Sequence, residues 1–364
     1  MKTSILKLTL LLFGTSLFAQ NTWTVDNRPG TTAQFSSLQA AHDAAEPGDF
    51  IYIHPSTTSY GSININKQIH LRSIGHGPEL ANGEFASVGT ISLRKNNATN
   101  TTASNSSISG LTIQSISDLN EAPFSNILIQ NNNFTSYIFL YQAYNFIIQG
   151  NVFADDAILF NSNNHANNLF SNNIFIRKTN TQVSGIIRGL VSSETFSNNL
   201  IVFNNSSDDK ILFNNCNNPI VNNNIIVFSA LNTTGTTISS INNVNGNPIN
   251  HQNCLTFAYG GQTLTALNGT NNLNNTNPQF ATIGSPENPN FAYTKSYKLK
   301  VGSPAIGAGS DGSDLGIFGQ GFKFQMKGYP FDLPYPTSIN INNAVVEAGG
   351  NLQVIFKASA NVEN

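Results

Sequence analysis

The amino-acid sequence predicts an all-β chain wound as a parallel β-helix, and three observations carry that prediction. A short phrase returns along the middle of the chain: an asparagine followed by apolar residues, with a polar turn residue or glycine just ahead. It reads Asn133-Phe134, Asn151-Val152-Phe153, Asn173-Ile174-Phe175, Asn199-Leu200-Ile201, Asn224-Ile225-Ile226 and Asn253-Cys254-Leu255, with Gly110-Leu111-Thr112-Ile113 as an earlier copy. The copies stand 18 to 29 residues apart, a drifting period that suits one coil of a solenoid with insertions taken up in its loops. Short apolar runs also recur two or three times per period, as in Ile158-Leu159-Phe160, Leu169-Phe170 and Ile174-Phe175-Ile176. They carry no helical periodicity, which argues against helical and leucine-rich repeats. Finally, a single helical pattern precedes the repeats, where a solenoid needs a cap over its first coil.

Residues 1–19 read as a secretory signal. Lys2 and Lys7 give the positive end, Leu8 to Phe13 the apolar stretch, and Ser16-Leu17-Phe18-Ala19 a small-residue exit before Gln20. That apolar run is too short to span a bilayer, and a retained membrane anchor is the alternative reading. Next, Phe35, Leu38, Ala41, His42 and Ala45 fall at helical spacing over residues 35–46, with Ser36 and Ser37 as caps and Glu46-Pro47-Gly48-Asp49 as the stop. Strands follow at Phe50-Ile51-Tyr52-Ile53, Ile63-Asn64-Ile65 and Ile69-His70-Leu71.

From about residue 108 to 257 the coils repeat. The asparagine column (Gly110, Asn133, Asn151, Asn173, Asn199, Asn224, Asn253) is expected to mark one corner of each coil. Glycine adopts positive φ freely and asparagine tolerates it best among the other residues. Stacked at the strand spacing, the same amides are placed to hydrogen-bond along the column. Cys254 falls where Ile174, Leu200 and Ile225 fall and reads as a core residue, while Cys216 sits in the turn Asn214-Asn215-Cys216-Asn217-Asn218. No disulfide is expected, although an exported protein would permit one. Beyond residue 260 comes a Gly- and Pro-rich segment, and residues 331–364 read as a β-hairpin tail, with Ile339-Asn340-Ile341 and Leu352 to Phe356 around Gly349-Gly350.

Charged residues make up only 10 % of the chain and the formal net charge is −2. Nucleic acid and anionic membranes call for a basic patch, and none is written here. The chain is not expected to span a membrane.

Two segments resemble a known family. Leu38-Gln39-Ala40-Ala41, Ala44-Ala45, Gly48-Asp49, Ile51-Tyr52-Ile53 and Pro55 form one. Asn277-Pro278-Gln279-Phe280, Tyr297-Lys298-Leu299, Gly302-Ser303-Pro304-Ala305-Ile306-Gly307 and Asp314-Leu315-Gly316-Ile317-Phe318-Gly319 form the other. Both are similar to segments of the pectin-lyase-like superfamily of secreted β-helix proteins. The resemblance implies a right-handed parallel β-helix over 20–330, with an N-terminal capping helix and an irregular β tail. The superfamily holds polysaccharide lyases, glycoside hydrolases, adhesins and members of unknown role.

Candidate chemistry is sparse. Asp155-Asp156 resembles the paired aspartates of polygalacturonases, but that family's Asn-Thr-Asp, Gly-His-Gly and Arg-Ile-Lys partners do not occur in order, and Gly75-His76-Gly77 precedes the aspartates. A lyase needs a base beside the uronate and a cation to neutralise its carboxylate. Arg177, Lys178 and Arg188 are the candidates inside the repeats, and calcium is expected only on the lyase reading. Register offers a plainer account. Asp155 and Arg177, and likewise Asp156 and Lys178, stand equally far after their asparagines, so acid would stack beside base. The six histidines show no metal-ligand spacing, and Asp208-Asp209-Lys210 reads as a solvated turn. Tyr137, Tyr141 and Tyr144 cluster in one coil as candidates for stacking on sugar rings, while Phe134, Phe139, Phe153, Phe160, Phe170 and Phe175 read as core. The leading expectation is a secreted or surface protein that binds an extracellular polysaccharide or cell-surface glycan, or acts in adhesion, with no recognisable catalytic site. The alternative is a lyase or glycosidase acting on an acidic polysaccharide.

Overall fold

The computed structural model describes residues 20–78, 83–154, 158–161, 164–177, 185–204, 211–229, 237–238, 243–285, 287–331, 333–342, 345–346 and 348–360. The chain winds into a parallel β-helix with three faces. Face A is a sheet of eleven parallel strands, from Thr22–Val25 and Phe50–Ile53 through Leu128–Gln130, Ile147–Gln149 and Leu169–Ser171 to Gly269–Thr270. Faces B and C form a second sheet, joined where the long strands Ser87–Leu93 and Thr112–Asp118 run through both. In later coils the turn is sharper and each long strand becomes two, as in Asn133–Phe134 on face B and Ile138–Leu140 on face C.

Register is set by inward apolar stacks. Face A stacks Leu71, Ile108, Ile129, Ile148, Phe170, Phe196 and Val221 in sequence. Face B stacks Phe134 on Phe153 and Phe153 on Phe175 with ring centroids 4.7 and 4.8 Å apart. Face C stacks Ile116, Ile138, Ile158, Ile187 and Phe213. These side chains are buried, and each contributes about 1.5–3 kcal/mol of transfer free energy.

The corner between faces A and B corrects the sequence reading of the asparagine column. Thr112, Asn133, Val152, Ile174, Leu200, Ile225 and Leu255 share one register position. Asn133 therefore stands one place after the column of Asn151, Asn173, Asn199 and Asn224, while Gly110 and Asn253 stand one place before it. Two consecutive residues divide the two duties that the sequence reading gave to one. The first residue of each pair takes positive φ, between 52° and 73°: Gly110, Asn131, Gly150, Asn172, Asn198, Asn223 and Asn253. The second turns its amide inward and builds a buried ladder. Asn132 Nδ2 donates to Asn151 Oδ1, Asn151 to Asn173, Asn173 to Asn199 and Asn199 to Asn224, at 3.0–3.1 Å. Each Oδ1 also accepts the backbone N–H of the preceding coil, and each Nδ2 also donates to a face A carbonyl. Cys254 belongs to this ladder, not beside Ile174: Asn224 Nδ2 lies 3.9 Å from its Sγ, and its N–H donates to Asn272 Oδ1. Cys216 and Cys254 are buried and not joined by a disulfide, and burial pushes both thiols up to about 11.

The N-terminal helix is shorter than the periodicity suggests. It spans Leu38–Ala44, with Ser37 Oγ accepting from Ala40 N. Phe35 is extended instead, bridging Val25 and packing its ring edge-on against Trp23. Leu38, Ala41 and Ala45 join the core at this end. The strand Thr22–Val25, which the sequence reading did not mark, adds the outermost rung of face A.

The segment after residue 277 is a strap. It runs back along the A–B corner from late coils to early ones, bonding to the positive-φ residues as it passes. Asn253 Nδ2 donates to Ala308 O, Ser310 N to Asn223 Oδ1, Asn172 Nδ2 to Ile317 O and Gly319 O, and Asn131 Nδ2 to Tyr329 O. At its far end Lys327 O accepts from His76 N and Gly77 N. Its Phe280, Tyr297, Leu315, Ile317 and Phe324 cover the outward apolar column of face B (Val152, Ile174, Leu200, Ile225, Leu255) as a second core. A face buried on both sides needs unbroken apolar strands, and Leu200-Ile201-Val202-Phe203 and Ile225-Ile226-Val227-Phe228 are buried throughout. The tail beyond is an antiparallel hairpin, Pro334–Ile341 with Val354–Ala360.

His76 makes the strap's far end acid-sensitive. Its Nδ1 lies 3.0 Å from Tyr293 Oη, whose hydroxyl donates to His76 O. Full burial holds the imidazole down at about 3, against a partial upward pull from a backbone hydrogen bond. The neutral ring stabilises docking above the ordinary value of 6.5. That contribution fades as pH falls from there toward 3, because only the detached state takes up the proton. Tyr293 and Lys327 are the strap residues beside it. The protection of residues 320–331 against hydrogen exchange, taken relative to the intrinsic rate at each pH, is expected to fall between pH 6.5 and 4 in the native chain. His76→Gln, which keeps a donor toward Tyr293 and does not titrate, is expected to flatten the profile.

Candidate functional site

Face B is closed by the strap, which leaves faces A and C to solvent. On face C the run Tyr137-Ile138-Phe139-Leu140-Tyr141 alternates as a half-buried strand must. Ile138 and Leu140 point into the core, fully buried, and the three aromatic residues point out. Tyr137 is 38 % exposed, and Phe139 and Tyr141 are half-buried. Their rings form a row, with Tyr137 6.3 Å from Phe139 and Phe139 5.2 Å from Tyr141, each pair edge-to-face.

A buried carboxylate fixes the end of this row. Asp118, on the coil before, accepts from Tyr141 N at 2.8 Å and Gln142 N at 3.1 Å, and from Asn120 N at 2.9 Å. It is 1 % exposed, and its partners are those of a turn anchor, so its role is positional. Exposed Leu119, beside Asp118, widens the apolar patch.

Around the row, register supplies polar edges. On the earlier coils Ser92 and Ser117 occupy the outward column of Phe139, and Thr90 Oγ1 lies 2.9 Å from Ser115 Oγ. On the later coils that column continues as Leu159, Arg188 and Asn214. Arg94 and Glu121, paired at 2.7 Å, neutralise each other at the corner near Leu119.

The sequence candidates separate on the structure. Tyr137 and Tyr141 belong to the row, and Arg188 shares their face. Tyr144 does not: it lies on the corner strand Ala143–Tyr144, donating to Asn164 Oδ1 at 2.6 Å. Arg177 ends a face B strand beside Phe203 and is 1 % exposed, too enclosed to meet a substrate on face C. Asp155, Asp156 and Lys178 lie outside the described residues, as do Asp208, Asp209 and Lys210. Phe139, which its residue type places in the core, is instead the middle of the row. The signal was available in its even spacing from Tyr137 and Tyr141. Phe134, Phe153, Phe160, Phe170 and Phe175 are core.

Among the described residues no three His, Cys, Asp or Glu side chains are grouped to hold a metal ion, and no helix is long and apolar enough to cross a membrane. No family model matches the chain, and no curated protein matches it.

Proposed function

We propose that this is a secreted β-helix protein of the pectin-lyase-like kind that binds glycans on face C, with Tyr137, Phe139 and Tyr141 as its contact surface. The observation that carries the reading is the row itself. Three aromatic side chains project from one strand of face C, whereas Phe160 and Phe213 on the same face point into the core. The face of an aromatic ring is electron-rich and attracts the C–H side of a pyranose, while tyrosine hydroxyls at the rim bond to sugar hydroxyls. The hydroxyls of Thr90 and Ser117 extend that rim without adding charge. Secretion rests on the leader-like residues 1–19, and the superfamily on the two segments quoted above.

Retention on a glycan array tests the reading. The native chain is expected to be retained on a subset of polysaccharides. Phe139→Ala and Tyr141→Ala are each expected to weaken binding by about 2 kcal/mol, the scale of a truncated aromatic anchor, or roughly thirtyfold. Tyr144→Ala, off the row, is expected to leave it unchanged. Retention insensitive to both row variants would remove the site.

A further inference from the structure

We infer that face A is where two copies of this chain meet, turned end over end about a two-fold axis through the rung of Ile147. The face repeats a five-residue pattern, as in Asn126-Ile127-Leu128-Ile129-Gln130 and Asn145-Phe146-Ile147-Ile148-Gln149. Its outward positions therefore form three parallel columns. The central one is aliphatic in its middle: Leu128, Ile147 and Leu169 stand in register, followed by Thr195 and Ile220. Ile147 is 40 % and Ile220 49 % exposed, and Leu128 and Leu169 are half-buried. Amides flank this column. On one side Asn126 Nδ2 donates to Asn105 Oδ1 and Asn145 Nδ2 to Asn126 Oδ1, and on the other Gln130 Nε2 donates to Gln149 Oε1. Among the described residues, no outward position of face A from the rung of Ser107 to that of Thr270 carries a charge.

Charge is what the core of a protein–protein interface lacks relative to the rest of a surface. The amides already bond to one another along their columns, so covering them leaves few polar groups without a partner. The stack is also nearly flat. On the adjoining face B successive Phe rings are tilted by only 8° and 13°, against the usual turn of about 20–25° between neighbouring strands.

Symmetry selects the occupant and its direction. A second copy turned about a two-fold axis in the plane of the face sets the aliphatic column on itself. Turned end over end about the middle of the eleven rungs, Ile147 meets Ile147 and Leu128 meets Leu169 of the second copy. The rung of His70 then meets that of Ile220. There the face has a cleft of about 440 Å³ beside Ile220, lined also by Asn218, Pro219, Asn250 and Gln252. The outward rings of Phe50 and His70, stacked 4.8 Å apart, are the projection that this turn brings opposite the cleft. A turn about the helix axis would set cleft on cleft instead. All eleven rungs overlap: ten steps of about 4.8 Å by about 15 Å of strand cover roughly 700 Å² on each copy. A standard stable interface takes about 800 Å² per partner.

Sedimentation of the native chain across a concentration series provides the test. The expected result is a species of twice the mass of one chain that dissociates on dilution. Ile147→Lys, which sets two ammonium groups against each other at the axis, is expected to weaken self-association about a hundredfold or more. Tyr137→Lys, on face C, is expected to leave it in place. Both side chains are exposed, so the unfolding midpoints of the two variants are expected to match. Single cysteines read the direction, since Cys216 and Cys254 are buried. A short bis-maleimide is expected to join two copies of Ile147→Cys, at the axis, and not two copies of Ile220→Cys, three rungs away from it on each copy. A chain that stays single at every concentration overturns the inference, as does a dimer that Ile147→Lys leaves intact. A dimer lost with Phe356→Lys instead places the contact on the C-terminal hairpin and overturns it too. Equal self-linking of Ile147→Cys and Ile220→Cys overturns the end-over-end arrangement.

Discussion

Asn199→Ala is expected to destabilise the chain by about 3–5 kcal/mol. Four hydrogen bonds to that side chain end at once. Asn173 N–H and Nδ2 lose the Asn199 oxygen, and the Phe170 carbonyl and Asn224 Oδ1 lose its donor. All lie inside the helix, where an orphaned polar group costs about 1–3 kcal/mol, so water does not take the vacated role. The neighbour tells the two duties apart. Asn198→Gly keeps positive φ and removes an amide whose polar atoms have no bonding partner, so its effect is expected to stay within about 1 kcal/mol. Urea melts of the two variants give the comparison. Equal losses would mean that the inward and outward residues are not divided as described.

Gly328→Val is expected to free the strap's far end. Gly328 has φ +69°, and a Cβ there would overlap the His76 ring and Asn131 O. The left-handed conformation alone costs a β-branched residue about 1–2 kcal/mol, and the overlap with a buried ring and a backbone oxygen adds to it. With that end displaced, the cover over Val152, Ile174 and Leu200 loosens, each a burial of about 1.5–3 kcal/mol. The expected outcome is rapid proteolytic cleavage within 320–331 and dye binding to exposed apolar surface, while the far-ultraviolet spectrum of the coils is kept. A strap that stays protease-resistant in the variant would contradict this account of its docking.

Much of the fold was legible because a β-helix writes its period into the chain. Apolar runs at coil spacing located strands on all three faces, and unbroken runs such as Ile225 to Phe228 already carried the mark of a strand covered on both sides. The error in the asparagine column is instructive. Where Asn-Asn pairs recur, letters alone do not say which member aligns with which. The inward stack Phe134, Phe153, Phe175 fixes the register, and that stack depends on three-dimensional pairing. The strap was visible as a change in composition, but its path depends on backbone bonds to Asn131, Asn172, Asn223 and Asn253, contacts between residues distant in sequence. At the site, alternation placed Tyr137 and Tyr141 on one side of a strand, and residue type misplaced Phe139. Tyr144 was grouped with them by proximity in sequence, though a corner separates it from the row. Arg177 and Arg188 looked equivalent as letters, and only the closed and open faces of the helix distinguish them.

The proposed glycan site is tested most directly by locating where a retained polysaccharide protects the native chain from hydroxyl-radical oxidation. The account expects protection at Tyr137, Phe139 and Tyr141, extending to Leu119 and Leu159 on the same face, with Tyr144 and the face A side chains Ile147 and Ile220 unchanged. Protection concentrated on face A, with Tyr137, Phe139 and Tyr141 as reactive as in the unbound chain, would contradict it.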